Sequence, residues 1–234
     1  MTIATTGDSA SMVGRSVLVA GASGGLGSEI AANLATRGAT LTLVSRSADR
    51  LDALEVAGHR LALDLRDPAA CRTAVEAAIG HGQGLDVVVN AVGVVAFGGV
   101  GQLSPDTMEE LFLTNTFVSM MLASAAFAVI NDGGVIVNIS GVIAEQNLPG
   151  MAAYGASKAA VRSFDEALAR EARRRKVRVI DARPPHTETG LAGRAIDGQA
   201  PKMPVGLAPA DVAATICDAI AGEVTDLPSS AFTA

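Results

Sequence analysis

Aromatic side chains are scarce in this chain. They make up 3% of 234 residues, with no Trp, one Tyr and six Phe. A core built without them relies on Ala, Val, Leu and Gly, which suits an α/β fold whose strands are covered on both faces. An excess of positive charge is also missing. Eighteen Lys and Arg stand against 24 Asp and Glu, for a net charge of −6. That excludes nucleic acid as a main partner, since phosphate binding needs a basic surface. The one basic run, 173–176, follows a long helical pattern and reads as a cationic helix C-terminus. Only two cysteines occur, Cys71 and Cys217, far apart and in no metal-like spacing. Neither a disulfide framework nor a zinc site is expected, and a reducing, cytoplasmic compartment fits. The first dozen residues have no basic segment and no apolar core of signal-peptide length, so 1–12 read as a frayed terminus. No apolar run is expected to be long enough to span a bilayer.

What the chain does have is alternation. Short apolar runs at 16–20, 40–44, 60–64, 85–90, 134–140 and 177–182 read as six strands. Helical patterns fill the gaps: one through about Arg37, then roughly 48–57, 68–80, 104–130, 151–175 and 209–221. Ser104 and Pro105 open one of them with an N-cap and an N1 proline. This order predicts a doubly wound, Rossmann-like α/β fold, a parallel sheet with helices on both faces. With no linker in sight, 13–234 form a single domain. One long irregular stretch, 188–208, follows the sixth strand at its carboxyl end, where ligands bind in such sheets. Its Leu191, Ala192, Ile196, Met203, Pro204 and Val205 lead to the expectation of an apolar substrate.

The segment "AGASGGLG" (20–27) lies between the first strand and its helix. Gly21, Gly25 and Gly27, with Ser23 and Leu26 between them, form a turn that lets backbone approach a pyrophosphate at a helix N-terminus. The second strand ends "LVSRS", with Ser45 and Arg46 and no carboxylate at its tip, although Asp49 is near. An acidic residue there would hold a ribose 2′-hydroxyl, whereas a cation accepts a 2′-phosphate. NADP(H) is therefore expected ahead of NAD(H).

Tyr154 and Lys158 stand four residues apart in "YGASK", on one face of a predicted helix. A free phenol has a pKa near 10. A fixed ammonium beside it favours the phenolate and brings it toward a useful range. Together with the glycine loop, "LDLRD" (63–67), "NAVG" (90–93) and Asn115 in "LTNTF", the pair resembles the short-chain dehydrogenase/reductase superfamily, single-domain type, from about residue 14 to 222. The resemblance implies hydride transfer between a nicotinamide and a carbonyl or alcohol. It implies Asp64 at the adenine amino group with Leu65 beside it, and Asn90 and Gly93 along the adenosine ribose. Tyr154 becomes the general acid or base, Lys158 holds the nicotinamide ribose, and Asn115 supports a water in the proton relay. Pro184, Thr187 and Thr189 fall near the nicotinamide. A homo-oligomer through the helices near 104–130 and 151–175 is also implied, and the apolar "FVSMMLASAAFAVI" (117–130) suits an interface.

Departures from the pattern matter as much. Pro185 replaces a usual Gly, and His186 follows it. The family's catalytic Ser stands thirteen residues before the Tyr, and here that position is Gly141. Ser140 is next to it, but neighbours on a strand point to opposite faces. Three answers stand open: a local backbone change turns Ser140 inward, another donor such as Gln146 or Asn147 replaces it, or the hydroxyl is absent. The last would leave a slowed enzyme, or a dinucleotide-binding protein with little turnover that serves as a regulatory or partner subunit.

Overall fold

Strand β1 (Ser16–Ala20) is buried at all five positions. Its odd and even side chains leave on opposite faces, and both faces are filled. Val17 and Val19 join one apolar cluster with Ile30 and Leu34, and Leu18 joins another with Val75 and Leu122. Burying one such side chain contributes about 1.5–3 kcal/mol, so the repeated pattern selects a sheet between two helical layers.

The structure, a computed structural model, describes residues 11–233. Five further strands, β2 (Thr40–Ser45), β3 (His59–Ala62), β4 (Val87–Asn90), β5 (Val135–Ile139) and β6 (Arg178–Ala182), complete a six-stranded sheet in the order β3-β2-β1-β4-β5-β6. Every neighbouring pair is parallel. Helices α1 (Gly25–Thr36) and α7 (Pro209–Ala221) cover one face. The other face is covered by α3 (Pro68–Gly82), α5 (Val118–Phe127) and α6 (Ala152–Ala172). Short α2 (Ala48–Asp52) and α4 (Pro105–Leu111) lie between. This is the expected Rossmann-like arrangement. Its strand order reverses between β1 and β4, which opens a crevice at their carboxyl ends.

The capping signals act where they stand. Ser104 accepts the Thr107 amide at 3.1 Å, and Asp67 accepts the Ala69 amide at 2.8 Å ahead of Pro68. Between α4 and α5, residues Phe112–Phe117 form a π-helical turn that carries Asn115. Such turns are rare and tend to occur at functional sites.

Two expectations need correction. Residues 1–10 lie outside the described residues, but Met12 is no part of a frayed end. It is 1% exposed, and its amide donates to the Arg37 carbonyl at 2.9 Å. The unbroken helical run Pro105–Phe127 does reach the length and apolar content needed to cross a membrane, because the π-helical turn fuses two helices; half of its most apolar window is buried within the fold. Beyond α7, the tail lies along the β6 edge. Leu227 bridges Ala182 in parallel, and its carbonyl accepts the Arg183 amide at 3.0 Å.

Candidate active site

At the carboxyl end of β1 the chain turns through Gly21 at φ +76°. A Cβ there would sit 2.8 Å from the Ala91 backbone, one at Gly27 would overlap the Gly21 carbonyl, and one at Gly25 would meet the Thr189 carbonyl at 2.5 Å. Close packing of the turn against the β4 end and the 188–208 segment therefore demands these glycines. Beside the turn, the Ser23 and Ser45 hydroxyls lie 2.5 Å apart, and the Arg50 guanidinium donates to the Ser23 carbonyl. Arg46 is exposed at the tip of β2.

A cavity of about 270 Å³ opens in front of this turn. Gly24, Gly25 and Leu26 form one wall, and Tyr154 and Lys158 another. Gly93, Pro184, Thr187 and Thr189 also line it, as sequence reasoning expected of cofactor neighbours. Most of the remaining wall is apolar and includes Phe97, Leu148, Met151, Leu191 and Met203. Among the lid residues expected to shape an apolar pocket, Leu191, Ala192 and Met203 reach it. Val205 is 93% exposed instead.

Lys158 is almost wholly buried, and its Nζ donates to the Ile139 carbonyl at 2.7 Å. Burial lowers its pKa to about 8, against an opposing pull from the Asp181 charge. The Tyr154 hydroxyl is pushed up to about 12 by burial alone. The expected lowering of the phenol by a neighbouring ammonium is thus not present in this arrangement: desolvation dominates, and the ammonium is turned to a backbone carbonyl. Asn115 comes to the same place. Its Oδ1 accepts the Val94 amide at 2.8 Å, and its Nδ2 donates to the Val94 carbonyl at 3.0 Å and to Ser157 Oγ at 2.9 Å. A Cβ on Gly93 would lie 3.3 Å from both Asn115 Oδ1 and Lys158 Nζ, so the π-helical turn, the β4 exit and α6 converge there.

Ser140 borders the cavity, yet its hydroxyl is committed to the neighbouring strand. Its hydroxyl donates to the Asp181 carboxylate on β6, and the residue is 1% exposed. Gly141 next to it takes φ +93°, ψ 164°, a conformation that carries the chain on without a side chain. Gln146 and Asn147 are not among the cavity's lining residues.

Other expected residues sit apart from the cavity. Asn90 is turned inward: its amide donates to Ser119 Oγ at 2.8 Å and to Asn138 Oδ1 at 3.3 Å, and its own Oδ1 accepts the Val92 amide at 3.1 Å. It braces the 90–93 turn from beneath. The Asp64 carboxylate is occupied by Arg66, which lowers its pKa and also reaches Glu110 at 3.1 Å. Leu65 is buried with α3.

Comparison with known proteins settles the lineage. The short chain dehydrogenase family profile matches residues 15–200. The chain belongs to that family. Among relatives of this short-chain dehydrogenase, an uncharacterised oxidoreductase of Methylorubrum extorquens is 30% identical over 220 residues, covering 87% of this chain and 89% of its own. A hydroxynaphthalene reductase-like protein of Metarhizium brunneum is 31% identical, over 77% of this chain and 71% of its own. A short chain dehydrogenase from Burkholderia cenocepacia, solved in complex with NADP, superposes with a TM-score of 0.81 at 26% identity, over 95% and 99% of the two chains. The protein is accordingly an oxidoreductase of a family that acts on alcohol and carbonyl groups.

Two groups of residues in this short-chain dehydrogenase escaped sequence reasoning. Arg50 and Arg194 carry cations to the rim of the site, yet each lies outside the motifs. The second group is a buried ionic cluster. Arg183, its side chain 4% exposed, donates to Asp181 at 2.6 Å, to Asp226 at 2.6 Å and to Glu145. Ser229 adds a bond to Glu145 at 2.5 Å. Burial raises the Asp181 pKa, against the lowering pull of Ser140 and Arg183. Asp165, held by Asn138 at 2.7 Å, is raised well above the ordinary range by burial, and the nearby Asp181 charge adds to it. The charged Asp181 and Arg183 at the end of the apolar run "VRVIDARP" were the available signal.

Proposed function

We propose that this chain is an NADP(H)-dependent oxidoreductase that interconverts a carbonyl and an alcohol, with Tyr154 as the general acid or base. The observation that carries this reading is that Tyr154 and Lys158 share one cavity with the glycine turn. The residues fit a dinucleotide. Gly21, Gly25 and Gly27 clear backbone space at the α1 N-terminus, where N–H groups would meet a pyrophosphate. Ser23, Ser45, Arg46 and Arg50 gather at the β2 tip and suit a 2′-phosphate. NAD(H) is the competing cofactor. Arg194, whose Nη2 lies 3.4 Å from the Thr189 carbonyl, is placed to close over the phosphates.

When bound, the reduced nicotinamide supplies a hydride, one proton and two electrons, to a carbonyl carbon. Tyr154 gives the oxygen its proton. A phenol raised by burial is protonated at neutral pH and so carries the proton that reduction consumes. Lys158 orients the ribose, and Asn115 holds the β4 exit in shape. The apolar wall suits an apolar small-molecule substrate. We further propose a homo-oligomer joined through α5 and α6, supported by Phe117 at 50% exposure, working in a reducing cytoplasm.

The test is NADPH consumption across aldehydes, ketones and quinones, with calorimetry of NADPH and NADH binding. We expect turnover in the wild type, and a loss of about 10²–10⁴-fold in Tyr154→Phe with NADPH affinity kept. The commitment of the Ser140 hydroxyl to Asp181 favours a second reading, a dinucleotide-binding partner subunit. Tight NADPH binding with no turnover on any substrate would establish that one instead.

A further inference from the structure

A carbonyl that becomes an oxyanion in the transition state needs hydrogen-bond donors aimed at its oxygen. Tyr154 provides one. The cavity's other polar side chains have partners of their own. The Ser140 hydroxyl is taken by Asp181, and Lys158 donates to the Ile139 carbonyl at 2.7 Å. Thr187 donates to the Pro185 carbonyl at 2.9 Å, and His186 faces Glu188 at 3.4 Å. Thr189 and Arg194 belong to the phosphate end, against Gly25. Neither amide at the Gly141 turn is free: the Gly141 amide donates to the Ala182 carbonyl at 3.2 Å, and the Val142 amide to the Pro184 carbonyl at 3.0 Å.

Beside this deficit there is room. A Cβ on Gly141 would meet nothing closer than the Pro184 carbonyl at 3.8 Å. The space that a serine side chain would fill is therefore open to the cavity.

Resting on the carbonyl-reductase reading above, we propose that the substrate brings the second donor itself. It is a hydroxy-ketone of apolar body, with a hydroxyl that reaches its own carbonyl oxygen through a six-membered hydrogen-bonded ring, as in an ortho- or peri-hydroxyaryl ketone. The hydroxyl occupies the space over Gly141, and Tyr154 approaches the same oxygen as the proton donor. The intramolecular bond strengthens as negative charge builds on the oxygen, which is what a transition-state donor must do. No reactant is added: the hydroxyl stays in the product, next to the new alcohol.

The experiment compares 8-hydroxy-1-tetralone, 8-methoxy-1-tetralone and 1-tetralone with wild-type enzyme and NADPH. Each rate is divided by the rate of borohydride reduction, which removes intrinsic reactivity. Calorimetric binding of each ketone to the NADP⁺-loaded enzyme separates weak binding from slow chemistry. We expect the hydroxy-ketone to exceed both others at least 10-fold in normalised kcat/KM, with less than a 3-fold spread among the three dissociation constants. Normalised rates within 3-fold of one another, or the unsubstituted ketone fastest, would overturn the proposal, since a water or an enzyme group must then supply the donor. No turnover of any tetralone, with simple aldehydes still reduced, would also overturn it and leave the reductase reading intact. NADPH binding with no substrate reduced would overturn both.

Discussion

Two turns shape the cavity, and both run through a glycine at positive φ. Gly21 has φ +76° and Gly141 has φ +93°. Their surroundings differ. At Gly21 a side chain would run into the Ala91 backbone, so both packing and conformation demand glycine. At Gly141 the conformation alone demands it, because the space beyond is open. The first turn is closed against its neighbours so that backbone can approach a ligand. The second leaves an opening, and the Ser140 hydroxyl beside it is tied to the ionic cluster behind. One glycine shapes a surface of contact; the other leaves room in the wall.

The contrast can be broken at four points. The largest effect is expected for Gly21→Ala. Backbone strain and the clash at Ala91 together cost about 2–4 kcal/mol. Thermal unfolding should fall accordingly, and calorimetry should find NADPH binding lost.

Next comes Lys158, which clasps the head of the second turn through the Ile139 carbonyl. It sits near 8 in the fold against an ordinary 10.5. The unfolded chain therefore binds more protons between those values, so wild-type stability should rise as the pH climbs from about 8 to 10.5. Lys158→Met removes this dependence. At pH 7 the variant should gain up to about 3 kcal/mol from relief of the buried charge, partly offset by the lost hydrogen bond. That advantage should vanish near pH 10.5, as read by urea midpoints along a pH series. Flat, identical profiles would show that the ammonium is not held in a desolvated site.

Gly141→Ala should cost only about 1–2 kcal/mol, the penalty of φ alone, with NADPH affinity unchanged. A loss as large as that of Gly21→Ala would erase the difference between the turns. The smallest effect is expected at the far end of the cluster. Asp226 is 63% exposed where it meets Arg183, so Asp226→Ala should cost under about 1 kcal/mol, and high salt should mask it.

Much of the fold was legible in advance. The run "SVLVA" is apolar at four of its five positions, as a strand covered on both faces requires, and Ser104 caps its helix ahead of Pro105 as expected. The glycine turn was legible because its residues carry a backbone requirement. The Ser140 question was not. Period-two alternation said that Ser140 and Gly141 cannot both face the cavity, but the partner of Ser140 is Asp181, 41 residues away on the next strand. Asn90 misled for the same reason: its partners Ser119 and Asn138 come from α5 and β5. The phenol of Tyr154 misled in a third way, since its pKa follows burial, which no four-residue spacing reports.

The chain by itself determined the strand and helix order, the phosphate turn and the Tyr154–Lys158 pair. Each depends on local periodicity, capping or a backbone conformation open to few residue types. Only the tertiary structure decided where the polar groups spend their hydrogen bonds. Arg183 gathers Asp181, Glu145 and Asp226 from separate elements, and Asn115 reaches its partners through a π-helical turn. Those choices follow from burial, which makes an unpaired polar group costly and leaves each to bond whatever the fold brings near.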